Sequence, residues 1–274
     1  MLEQLKYKNH RNEVFEFGKD GIFVDTNELH DYEWSVTQKN NKVSALERTM
    51  RTLKLPIVIM CDTEEEGIAA RNKLHEVVEK DVLAMQHGRI IIGDYYFRCF
   101  VTKSLKKEYL LSKRYMRVEL SLTSDYPYWV KETTIPFSIV TEKEESDFLD
   151  YSFDYPVDFT TKLQSTQLDN PGFVGSNFRL IVYGACNNPT IAIGGHVYCV
   201  NCAVEDGEFL TVDSSSKKIY LTSKTGYVTN KFNNRNRDSY IFEKIPAGTN
   251  AVAWNGDFGF DVILLEERSE PKWT

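Results

Sequence analysis

The chain has 274 residues and a mass of 31.7 kDa, with 42 % apolar and 27 % charged residues, a composition that supports a buried core and excludes a disordered chain. With 33 Lys and Arg against 40 Asp and Glu, the net charge is −7, which argues against a general nucleic-acid binder because phosphate neutralisation needs a basic surface. No stretch approaches the ~20 apolar residues of a membrane span, and at ~150 residues per domain the length predicts two domains.

Met1–Lys6 has no apolar signal core, so a soluble, non-exported chain is expected. Val14–Phe17 and Ile22–Val24 flank Lys19-Asp20-Gly21, which predicts an opening hairpin. Residues 38–54 then change character: Lys39, Lys42, Arg48, Arg51 and Lys54 crowd a stretch with few large apolar residues and no period. A projecting arm or an ordinary solvated loop both fit it. Pro56–Met60 reads as a short strand. Thr63 followed by Glu66 is a capping-box signature that opens a helix over 63–86. Ala70, Leu74, Val77, Val78, Val82 and Met85 predict its buried face. Gly93-Asp94 between Ile90–Ile92 and Tyr95–Phe97 predicts a tight hairpin, and Met116, Val118, Leu120 and Leu122 alternate as one face of a strand.

The first domain, 1–130, is therefore expected to be α+β, with a dominant antiparallel sheet and one helix. Residues 131–147 read as a charged linker, with Glu142, Lys143, Glu144, Glu145 and Asp147. Beyond Phe148 the helical signals vanish, and short strands alternate with turns at Asn170-Pro171-Gly172, Gly194-Gly195, Asp206-Gly207, Pro246-Ala247-Gly248 and Asn255-Gly256. That spacing predicts a β-sandwich over 148–274. Val262–Leu265, apolar throughout, suits a central strand.

The residues offer little chemistry. There is no nucleophile elbow, no phosphate-binding glycine loop and no histidine in a motif context, so no catalytic residues and no cofactor are assigned. Five cysteines, an odd number, argue against a disulfide scaffold. Cys186, His196, Cys199 and Cys202 have the composition of a zinc site. A two-residue turn at Gly194-Gly195 would set Cys199 opposite Thr190, however, and Cys199 and Cys202 would then point to opposite faces. No metal is expected. Trp254, Phe258 and Phe260 around Asn255-Gly256 suit either core packing or stacking on a sugar, which makes Trp254 and Phe258 candidate glycan contacts.

The order of short motifs carries a resemblance. Leu53–Ile59, following Glu47-Arg48 and the basic stretch, is similar to the segment where the arm of the distal tail proteins of long-tailed bacteriophages returns to its sheet. The Gly93-Asp94 hairpin and the Tyr115–Thr123 strand resemble the end of that family's first domain. Asn170-Pro171-Gly172, Asn188–Ile193, Leu210–Asp213, Ile245–Asn250, Glu267-Arg268 and Trp273 follow in the family's order. The "P-G-R-x-G" segment that often precedes the arm has no counterpart here.

The resemblance implies a non-enzymatic virion component of the tail tip, made in the host bacterium. It implies a homohexameric ring built by the first domains, with a galectin-like sandwich pointing outward. The implied partners are the tail tube protein, the tail-associated hub protein and a receptor-binding or side-appendage protein, without nucleic acid or membrane. In that setting Lys39, Lys42, Arg48, Arg51 and Lys54 become candidate arm residues for gripping an acidic neighbour. A free-standing carbohydrate-binding sandwich is the alternative.

Overall fold

The structure is a computed structural model that describes residues 4–19, 21–107, 112–139 and 166–273. The chain divides into two units, the first comprising Met1–Lys131 with Arg268–Thr274 and the second Glu132–Glu267. Both are dominated by antiparallel strands, so the mainly β class read from the sequence holds.

In the first unit β1 (Leu5–Lys8), β2 (Val14–Glu16), β3 (Ile22–Val24), β4 (Ser35–Lys39), β5 (Lys42–Glu47) and β6 (Arg51–Met60) precede the helix α1 (Glu64–Ala84). After it come β7 (Gly88–Ile92), β8 (Tyr95–Lys107) and β9 (Tyr115–Ser124), and β10 (Trp129–Phe137) begins here and continues into the second unit from Glu132. β6 pairs with β9 along its whole length, from Arg51 opposite Ser124 to Met60 opposite Tyr115. Period-two alternation along both strands sends Leu53, Leu55, Ile57 and Ile59, and Met116, Val118, Leu120 and Leu122, into one core. β8 pairs first with β7, across the expected Gly93-Asp94 turn, and then with β9 after a register shift near Val101. Trp129 closes this core: it is 1 % exposed, and its indole N–H donates to the Leu29 carbonyl at 3.1 Å.

Helix α1 begins as its sequence dictates. Thr63 Oγ1 accepts from the Glu66 N–H, and Glu66 Oε2 accepts from the Thr63 N–H. Both satisfy N–H groups that have no partner inside the helix. Ala70, Leu74, Val77 and Val78 are buried as expected, whereas Val82 and Met85 are exposed. The buried place in that last turn belongs to Asp81. Its carboxylate accepts from the Tyr7 hydroxyl at 2.6 Å and the His10 N–H at 2.8 Å, and His10 Nδ1 lies 2.5 Å away. A fully buried carboxylate needs such donors to offset its lost hydration. Burial pushes the Tyr7 phenol upward, reinforced by Cys99 and the bond to Asp81.

Two expectations for this unit need correction. Val14–Glu16 and Ile22–Val24 do not form one hairpin: β2 pairs with β1, and β3 pairs with β6. Gly18 and Gly21, at φ +85° and +73°, turn the chain between them, and β3 extends the edge of the ten-residue β6. The expected linker at 131–147 also begins inside a strand, β10; its residues from 140 on lie outside the described part of the chain.

The second unit continues with β11 (Thr166–Asn170), β12 (Asn177–Tyr183), β13 (Cys186–Asn187), β14 (Thr190–Ile193), β15 (His196–Cys199) and β16 (Ala203–Val204). It ends with β17 (Phe209–Asp213), β18 (Lys218–Thr222), β19 (Val228–Asn230), β20 (Gly248–Ala253) and β21 (Phe260–Arg268). One sheet runs β19-β18-β17-β12-β21-β10 and a second runs β11-β20-β14-β15. Phe178, Leu180, Val212, Val262 and Leu264 from the first meet Leu168, Ile191, Ile193 and Val252 from the second in one core, so this unit is a β-sandwich. β21 lies between β12 and β10, and Val262–Leu265 is buried on both faces. Relative to the expected 148–274, the unit starts earlier, at Glu132, and Arg268–Thr274 groups with the first unit.

Candidate assembly interface

The basic stretch 38–54 resolves into two different structures. β4 and β5 form a two-stranded hairpin that pairs with no other strand among the described residues. Its turn residues, Asn40 and Asn41, take φ +51° and +57°. That mirror-image turn matches the twist of a hairpin, and asparagine tolerates it better than most residues. Ser44 Oγ donates to the Thr37 carbonyl at 3.0 Å beside a register shift at Thr37/Gln38. The shift has a consequence for side chains. Val36 lies opposite Leu46 and Gln38 opposite Val43, so Val36, Val43 and Leu46 share one face. They are 52 %, 62 % and 55 % exposed. An apolar ladder held in water on an isolated hairpin has no reason in the stability of a lone chain.

The five candidate cations divide accordingly. Lys39 and Lys42 face each other across the ladder beside the turn, where like charges repel and gain nothing from one another. Arg48 belongs to the hairpin's base instead. Its guanidinium sits 5.6 Å from the Trp34 ring centre and 4.8 Å from that of Tyr128, a cation held between two aromatic faces. Nε and Nη1 of Arg48 are buried with no hydrogen-bond partner among the described residues. Burial lowers its pKa, opposed by Tyr128 and reinforced by Arg51. Tyr128 packs against Tyr126 at 5.1 Å, and Arg98 covers Tyr126 at 4.4 Å. Arg51 donates to the Asp31 carbonyl at 2.6 Å, and Lys54 lies within β6, its N–H bonded to Glu28. Only Lys39 and Lys42 therefore stand on the projecting hairpin. Sequence reading missed its apolar face, because three residues at 36, 43 and 46 show no period until the bulge aligns them.

The aromatic glycan candidates are overturned. Trp254 is 1 % exposed and Phe258 2 %, and the Trp254 indole N–H donates to the Phe258 carbonyl at 3.0 Å. The Asn255-Gly256 turn folds this pair inward against Phe260 and Phe137. No ring face is left for a sugar.

The strand expected to carry both Cys199 and Cys202 ends at Cys199, and Cys202 lies in a bend beyond it. Thr190 pairs with Cys199 and Ile193 with His196 across the Gly194-Gly195 turn. Thr190 Oγ1 donates to Cys199 Sγ at 3.2 Å, and Cys202 packs in the second core. His196 Nε2 lies 2.9 Å from the Tyr240 carbonyl and 3.1 Å from Ser239 Oγ. Burial pushes the Cys186 thiol up to about 11, with Cys202 adding to it, so this group stays protonated near neutrality. Among the described residues no three His, Cys, Asp or Glu side chains are grouped to hold a metal.

No protein-family model and no curated protein sequence matches the chain. Solved structures do. SPP1 Dit, described as a paradigm of the hub adsorption apparatus in phages infecting Gram-positive bacteria, is 10 % identical with a TM-score of 0.58, over 98 % of this chain and 100 % of its own. Chains of the phage P2 baseplate in its activated conformation, with calcium and with strontium, are each 10 % identical with a TM-score of 0.65, over 99 % of this chain and 100 % of theirs. At that identity the likeness is one of fold, and it runs from end to end.

Proposed function

We propose that this chain is a structural protein of a phage tail, a distal tail protein that closes into a homohexameric ring at the tail tip. The observation that carries the proposal is the β4–β5 hairpin, which presents Val36, Val43 and Leu46 to solvent and Lys39 and Lys42 at its end. A neighbouring copy that covers the three apolar side chains recovers burial worth up to ~1.5–3 kcal/mol each. The two lysines complement carboxylates on a chain of net charge −7. β2 and β3 each pair with a single strand among the described residues, which leaves sheet edges for further contacts. The end-to-end fold likeness to SPP1 Dit and to phage P2 baseplate chains supports the same reading.

In this role the ring joins the tail tube to the hub protein, and the sandwich carries a receptor-binding or appendage protein. The chain does no chemistry of its own. Replacing Val43 and Leu46 by Asp tests the arm. Both side chains are exposed, so stability stays within about 0.5 kcal/mol of the parent. The expected outcome is a folded chain that no longer assembles, seen by electron microscopy as loss of rings. Rings of unchanged abundance in the double variant would contradict the arm's role.

A further inference from the structure

In the first unit the free hairpin and an apolar groove lie at opposite ends of one strand. Strand β6 runs for ten residues, Arg51–Met60, which at about 3.3 Å each sets its ends ~30 Å apart. The β4–β5 hairpin leads into the Arg51 end, where Arg48 sits against Tyr128. At the Met60 end a groove of about 890 Å³ opens between β3 and the first half of α1. Phe23, Met60, Ala69 and Ala70 supply its apolar lining, with Phe23 43 % and Met60 57 % exposed. A hollow of this kind, with large apolar side chains at its rim, is a surface that another chain covers.

Charge is ordered along the groove. Asp62 and Glu66 mark the end where α1 begins, and Lys73, whose Nζ lies 5.8 Å from the Phe15 ring centre, stands two turns further along the helix. Asp62 has no ion-pair partner among the described residues. The hairpin carries the complementary order, with Lys39 and Lys42 beside its turn and Glu47 at the base of β5.

We infer that this groove receives the β4–β5 hairpin of a neighbouring copy. Val36, Val43 and Leu46 cover Phe23 and Met60, the two lysines meet Asp62 and Glu66, and Glu47 reaches toward Lys73. The hairpin is matched to the groove of another copy rather than its own, since β6 sets the two at opposite ends of the unit. A donor surface at one end and a receiving surface at the other give a head-to-tail contact that repeats from copy to copy, the condition for closing a ring. The inference rests on the ring reading and adds the surface that receives the arm.

Disulfide trapping in the full chain tests it. Val43 and Ala69 are both exposed, so Val43→Cys and Ala69→Cys together leave the fold intact. On oxidation the double variant is expected to give a covalent ladder of up to six copies, with position 43 of one copy linked to position 69 of the next by mass spectrometry of the peptides. Neither single variant gives that ladder. Met60→Asp, at an exposed position, is expected to raise the concentration needed for assembly about ten-fold with an unchanged melting curve, the loss of one apolar contact. An oligomer of the parent's mass whose introduced thiols stay unlinked, or link only within one copy, overturns the groove and leaves the ring standing. So does a Met60→Asp variant that assembles at the parent's concentration. A parent chain that stays single at every concentration overturns both readings.

Discussion

Asp213 shows how one side chain shapes a surface. Burial alone would raise its pKa, but bonds from the backbone N–H of Ser216 and from Ser215, with Arg179 nearby, hold the carboxyl below the usual carboxylate range. A carboxyl depressed in the folded state contributes stability that is fully present above its unfolded pKa and is lost as pH falls through the folded one. Asp213→Asn keeps the acceptor oxygen and removes the charge. It is expected to cost about 1 kcal/mol at pH 7 and to converge with the parent well below pH 4. Melting temperatures of both proteins across pH 2–7 check this, and a gap that persists at the acid end would contradict it. Asp81 belongs to a different class: it is fully buried and held by Tyr7 and His10. No pattern in the sequence marks it, since it sits where an apolar residue would continue the helix stripe.

At the scale of elements, legibility followed local chemistry. The capping box at Thr63, the turn at Gly93-Asp94 and the pairing across Gly194-Gly195 are each fixed by a few adjacent residues, and the structure has all three as read. Thr63→Ala removes the acceptor for the Glu66 N–H. It is expected to lower stability by ~1 kcal/mol, with a lower urea midpoint at unchanged slope. A midpoint equal to the parent's would show that the cap contributes nothing. What the sequence hid depends on distant partners. The β4–β5 face appears only after a bulge sets Val43 on the side of Val36 and Leu46. The burial of Trp254 and Phe258 depends on Phe137 and Phe260 in other strands. Lys217 Nζ lies 5.5 Å from the Tyr240 ring centre across the intervening β18, β19 and loop, a proximity that only the fold creates.

For the whole molecule, two β-rich units divide the work. The first holds its core between β6, β8, β9 and α1, and lets a hairpin with an apolar face stand out in solvent. The second is a sandwich whose two sheets enclose a core of their own. In the proposed assembly a second copy receives this hairpin, and repetition of that one contact around an axis would close a ring. The mass of the full chain in solution, measured by light scattering after size-exclusion chromatography over a range of concentrations, tests this most directly. Six copies of the 31.7-kDa chain, falling to single copies in the Val43→Asp, Leu46→Asp variant, is the result the arm-driven ring requires. A single-copy mass at every concentration, or the same oligomer with and without the two substitutions, would contradict it.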